Sequence, residues 1–263
     1  MAVHSTAGST GITEPVTINR ITVHDVIASI DQGIDDFLQN PSHMIFLTLL
    51  FPIIGVLLGR LALGHEILPL LFPVTAGFTL VGPLAALGVY EMSRRREQGR
   101  KLAWRYAFNI LLAPNLWSIV ILGFFLMGLF ISWLLTANWL FQSLLGQIPV
   151  TSLWQLMRLV ITTSEGHQLI LWGNGIGFLF AITVFLTSAI SFPMLLDRDV
   201  GLLTAIAASA KSVFLNPIPM AFWGAIIATA LFLGCILLFA GLALVLPILG
   251  HAPWHVYRKL VTH

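Results

Sequence analysis

Four histidines stand beside polar turns at the borders of long apolar tracts: His65, His167, His251 and His255. Glu66 follows the first and Glu165 precedes the second by two positions. Imidazole nitrogen with a nearby carboxylate is a donor set for Zn or Cu, which takes three or four such ligands. These residues come from three separate stretches, so only the fold could assemble them, and Pro253 interrupts the 251–255 spacing. The competing reading makes them polar side chains at a water–apolar boundary, and that is the expected one. Other chemistry is thinner still. No nucleophile–base arrangement, Walker sequence, CxxCH or paired carboxylates occur in the apolar tracts, and the single Cys235 excludes an intramolecular disulfide. The glycines Gly173, Gly175 and Gly177 have no strand before them, so they read as packing residues rather than a phosphate loop. Neither a cofactor nor an enzymatic activity is expected.

A second constellation is electrostatic. Arg94, Arg95 and Arg96 open a basic island that continues through Arg100, Lys101 and Arg105. Far along the chain stand Asp197, Arg198 and Asp199. The expected role is a structural ion-pair network, either Asp197 with the Arg94–Arg96 run or Arg198 with acids of an N-terminal helix.

The elements that position these groups follow from the charge distribution. Only 9% of residues are charged and 57% are hydrophobic. Ala107 to Met157 carries no charged residue, and Gly201 to Tyr257 carries only Lys211. An apolar run of about 20 residues crosses a bilayer core, and a water-soluble chain carries roughly a quarter charged residues. The composition therefore predicts an all-α, polytopic transmembrane bundle. The opening MAVHSTAGSTGITEP has no basic and apolar leader pattern, so no cleaved signal peptide is expected.

Residues 1–19 read as a disordered tail. Residues 20–41 hold an amphipathic helix, with Val23, Val26, Ile27, Ile30, Ile34, Phe37 and Leu38 on one face and Asp25, Asp31, Asp35 and Asp36 opposite. It is expected to lie on the membrane surface. A transmembrane domain covers 42–263, with spans at about 42–63, 67–90, 115–137, 170–196 and 220–250. The last tract, at about 1.5 Å per residue, is longer than a bilayer core needs and must tilt, kink or protrude. Residues 138–169 read as a non-cytoplasmic loop carrying an interfacial helix. A sixth span there would invert everything after it.

Short basic loops stay cytoplasmic, so the Arg94–Arg105 island sets the orientation. The N-terminus is then cytoplasmic, and the four histidines fall on the opposite side. Three times an amphipathic stretch ends at proline and turns into a span: at Asn40-Pro41, at Pro114 and at Asn216-Pro217. Proline breaks the preceding helix because it lacks the amide proton and disfavours helix at the residue before it. The pattern implies two or three interfacial helices on the cytoplasmic face.

The segments FPVTAGFTLVGPLAALGVYEMSRRREQG, SFPMLLDRDV and GHAPWHVYRK, with Asn216-Pro217 and Trp223-Gly224, resemble the family of uncharacterised bacterial integral membrane proteins called domain of unknown function 2189 (DUF2189). The resemblance implies a multi-span inner-membrane protein without established activity. Some relatives are labelled cytochrome c oxidase subunit I. A haem–copper centre takes its histidines from the middle of neighbouring spans, and none of the eight histidines here is mid-span. A catalytic oxidase role is not expected. The leading expectation is a non-enzymatic structural or accessory component of a bacterial inner-membrane assembly. A channel or facilitator for a small solute, lined by Gly, Ser and Thr, is the alternative, and shallow metal handling the second. The expected partners are the bilayer, with anionic lipids at the basic island, and a membrane protein; nucleic acid is not among them.

Overall fold

The computed structural model describes residues 16–39, 68–236 and 241–262. Helix α1 (Val23–Gln39) begins at a reciprocal cap: the Thr22 amide and hydroxyl donate to Asp25 Oδ2, and the Asp25 amide returns to Thr22 Oγ1. After residue 67 the chain runs through a 3-10 turn into α2 (Leu71–Phe78), a second 3-10 turn, α3 (Gly82–Ala85) and α4 (Leu87–Glu97). A 3-10 helix (Trp104–Leu112) follows. Next come α5 (Leu116–Leu145), α6 (Leu153–Thr162), α7 (Ser164–Ser188), α8 (Ser191–Asp197), α9 (Leu202–Leu215), α10 (Pro217–Ile236) and α11 (Leu242–Leu260).

Among the described residues, three stretches are long and apolar enough to cross a bilayer: Leu116–Leu145, Ser164–Asp197 and Pro217–Gly234. Their outward faces carry bare aromatic surface; Trp117 is 78% and Phe124 74% exposed. In water that surface would drive aggregation, while in lipid it is the expected solvent contact. The interior is dense with large side chains. Trp133 of α5 lies against Gly77 and Gly177, tilts on Phe180 at 5.8 Å, and donates its indole N–H to Pro73 O at 2.8 Å. The same core continues along the helices through Leu122, Leu126, Phe192, Met194, Leu195, Met220 and Trp223, all buried.

Several expectations are corrected. The tract read as one span over 220–250 is two helices, α10 and α11, packed against each other. The close approach is at Gly234, where a β-carbon would meet the Leu242 side chain at 2.6 Å. The 67–90 stretch is not one helix but a series of short turns, and α4 continues past it to Glu97. The 170–196 span begins earlier, at Ser164, and breaks after Ser188 before α8. The 115–137 span extends two turns further, to Leu145. Within 138–169 there is a short amphipathic helix, α6, capped by Ser152 and exposing Leu153, Trp154, Met157 and Ile161. The proposed first span, 42–63, lies outside the described residues, as do residues 1–15 of the tail.

Residues 16–19 of that tail are paired rather than free. Ile18 and Val261 form an antiparallel bridge, and the Asn19 amide donates to Leu260 O at 2.8 Å. Helix α1 does not lie alone on a surface. It runs antiparallel along the C-terminal half of α11, in contact so close that a β-carbon on Gly33 would sit 2.9 Å from the Ala252 amide nitrogen. The C-terminal segment thus lies beside residues 16–19 and α1 rather than at the opposite end of the long helices.

Candidate functional site

The α1–α11 contact buries a polar cluster. Asp36, on what the sequence suggested was a water-facing side, is 6% exposed because α11 covers it. Its Oδ2 lies 2.6 Å from Ser93 Oγ, 2.9 Å from His255 Nε2 and 3.4 Å from His251 Nδ1. The Arg96 guanidinium donates to its Oδ1. Ser93 Oγ also lies 2.6 Å from His251 Nδ1. Ser93 has one proton, and it is directed to Asp36, so His251 Nδ1 must carry a proton and donate to Ser93. The other ring nitrogen, His251 Nε2, is buried without a hydrogen-bond partner among the described residues. Burial opposes charge on Asp36, but hydrogen bonds from His251, His255 and Ser93 outweigh it and hold the carboxyl far below the usual carboxylate range.

A serine, a histidine and an aspartate within hydrogen-bonding distance invite comparison with a nucleophilic triad. The geometry is different. A relay places the acid and the hydroxyl on opposite nitrogens of the imidazole, so that the ring passes a proton between them. Here both crowd Nδ1, and Ser93 is 1% exposed. The arrangement anchors a carboxylate; it does not activate a hydroxyl.

Ion pairs extend from this cluster along one face of the molecule. Glu97 accepts from Trp254 Nε1 at 2.9 Å and from Arg258 at 2.7 Å. Arg94 pairs with Glu91 at 3.2 Å and with Asp197 at 3.4 Å. Asp197 also accepts from the Tyr257 hydroxyl at 2.9 Å, and burial with that neighbouring charge pushes the phenol up. Thus α4, α8 and α11 meet through Asp197, with Arg94 the member of the Arg94–Arg96 run within ion-pair distance of it. Arg198 donates to Thr262 O, while its own carbonyl accepts from Asn115 Nδ2 at 2.6 Å. Asp199 is exposed. Beside Asp36 the network opens into a cleft of about 370 Å³ whose lining includes Gln32, Asp35, Glu97 and Lys259.

The turn residues sort differently. Asn216 is buried and gives all its capacity to the backbone: Oδ1 accepts from Ile21 N at 2.8 Å, and Nδ2 donates to Asn19 O and Ser212 O. Pro217 then starts α10. Pro114 sits in the turn between the 3-10 helix and α5. Asn40 and Pro41 lie outside the described residues.

The histidines are not gathered as the sequence suggested. His251 and His255 belong to the α1–α11 cluster, on the face of the basic island. His167 lies at the start of α7, its Nε2 2.7 Å from Ile161 O. The helix between His167 and Ser188 rises about 30 Å, and α8, which follows it, carries Asp197 back to Arg94. His65 lies outside the described residues. No group of three or more His, Cys, Asp or Glu among the described residues could hold a metal ion. The sequence reading missed Asp36 as a buried acceptor, and with it Ser93, Glu91, Glu97, Trp254 and Tyr257. One usable signal was Ser93 itself, an uncharged polar residue placed against a run of three arginines.

Residues 71–197 match the model of a family described as "Predicted integral membrane protein (DUF2189)". The match contains Ser93, Arg96 and Asp197, and leaves α1 and α11 outside it. No curated protein matches the chain, and no solved structure does. The family description agrees with the three long apolar stretches: this is an integral membrane protein.

Proposed function

We propose that the chain is a non-enzymatic structural or accessory component of a membrane assembly. In this reading it resides in a bacterial inner membrane, and its basic island and both termini face the cytoplasm and an anionic lipid leaflet. The observation carrying it is the interior. Between the long helices the described residues pack Trp, Leu, Phe and Met against one another. A solute path would need polar groups or water along that interior. The buried polar groups gather instead at one end, where Asp36, Ser93, His255, Arg96 and Asn216 spend their hydrogen bonds on one another and on backbone. Such closed networks fix the arrangement of helices. The positive-inside tendency of short basic loops supports the orientation.

Two measurements test the proposal together. Tagged full-length protein, purified in mild detergent, should carry a membrane partner at fixed stoichiometry, and that ratio should survive a second column. Proteoliposomes holding the pure chain should leak small solutes no faster than empty vesicles. Solute flux that depends on the protein would instead establish the channel reading.

A further inference from the structure

The basic island contains more cations than its acids can balance. Arg94, Arg95, Arg96 and Arg258 face Glu91, Asp197, Asp36 and Glu97. Among the described residues Arg100, Lys101 and Arg105 form no salt bridge. Arg95 is only loosely matched. Glu91, shared with Arg94, stays 3.6 Å from its Nε, and its buried Nε and Nη1 find no hydrogen-bond acceptor among the described residues. The Arg95 guanidinium stacks on the Tyr106 ring at 3.9 Å, and Arg105 approaches the same ring at 5.1 Å with Nη2 3.3 Å from its hydroxyl. Lys101 is close enough to act on the same phenol. Two guanidiniums thus flank one aromatic ring.

The 3-10 helix explains what lies below them. In such a helix residues three apart eclipse, giving three ridges. Ala107 and Ile110 face inward, Ala107 meeting Gly88 of α4. The ridge Arg105, Phe108, Leu111 faces outward; Phe108 and Leu111 are 58% and 60% exposed, and neighbouring Leu112 81%. A guanidinium therefore stands at the head of an apolar ledge that leads down to the start of α5.

We propose that Arg95, Lys101, Arg105 and Tyr106 bind the phosphate of an anionic phospholipid, whose acyl chains lie along Phe108, Leu111 and Leu112. The proposal rests on the reading that the basic island faces an anionic leaflet, and adds a defined headgroup site. The phosphate meets the exposed guanidinium of Arg105 at the head of the ledge, with Arg95 adding charge from beneath the Tyr106 ring; the ledge distinguishes a lipid from a free anion.

The test is native mass spectrometry of the full-length protein in detergent, titrated with phosphatidylglycerol or phosphatidylcholine of identical chains. Phosphatidylglycerol should bind more tightly. Lys101→Gln and Arg105→Gln should each weaken it about five-fold, the expected worth of one interfacial cation, and narrow the preference over phosphatidylcholine, whose phosphate is already offset by its own choline cation. Tyr106→Leu keeps the net charge but removes the ring that orients both guanidiniums, so it too should lower the preference, with an unchanged melting temperature confirming the fold. If the charge variants lose the preference and Tyr106→Leu keeps it, attraction is diffuse and the site is refuted, while the leaflet reading stands. No preference in the unaltered protein would overturn both. Displacement of phosphatidylglycerol by millimolar inorganic phosphate would refute the lipid assignment.

Discussion

Asp36 is buried and takes hydrogen bonds from Ser93, Arg96 and His255, so its carboxylate is costly to remove. Asp36→Asn leaves a donor of Arg96 or His255 facing an amide N–H. Breaking a buried ion pair from one side costs about 3–5 kcal/mol, and a loss of that size should appear as a lower melting temperature in detergent; a change below about 1 kcal/mol would contradict the role assigned to the cluster. The same residue predicts an acid limb. Its carboxyl titrates lower in the folded chain than the roughly 3.9 of an unfolded one. The stability it contributes is therefore complete above about pH 4 and drains away only as pH falls further, toward the folded value. Melting temperatures measured downward from pH 5 should decline in the natural protein, and Asp36→Asn should lack that part of the slope. None of this was legible at the level of single residues. Asp36 shares its spacing with Asp31 and Asp35, which stay exposed, and no rule of periodicity says which acid of a polar face a distant helix will cover. Asn216 was legible as a turn residue, because Asn-Pro stops a helix. Its hold on Ile21 and Asn19 was not, because those partners come from the other end of the chain.

At the scale of elements, the α1–α11 contact depends on a missing side chain. Gly33 lets the two backbones approach, and Gly33→Val would force them apart at Ala252, a cost of about 1–3 kcal/mol for overpacking. The expected outcome is release of α1, read as new protease cleavage within residues 20–39 while the apolar helices stay protected. Protection equal to that of the natural protein would mean that the helices can separate without loss. An interfacial helix within 138–169 and the long α5 and α7 were visible in the sequence in outline, because unbroken apolar runs leave few alternatives. The α10–α11 hairpin was hidden for the same reason: hydropathy does not fall where the chain reverses. Its length was the available clue, since 217–260 is too long for one crossing. The 3-10 helix was hidden because a three-residue period resembles the α-helical one over so short a stretch.

For the whole molecule, the reversal between α10 and α11 decides where α11 and the residues after it lie. It returns His251, His255 and Arg258 to the face of the basic island, which a single long span would have placed on the far side. On a Cys235-free background, cysteines at positions 95 and 262 should react alike in intact cells, and a cysteine at 167 oppositely to both. Labelling of 95 and 262 from different sides would break the pairing of the termini. That pairing also has a consequence in time. The surface that receives Gly33 and Asp36 is centred on Ala252, more than two hundred residues later, and at about 5–20 residues per second it leaves the ribosome roughly ten to forty seconds after α1. Throughout that interval α1 has an apolar face and a carboxylate with no partner on α11. Helix α1 is thus made long before the helix that receives it, and its docking waits on the return of α11 to the same face.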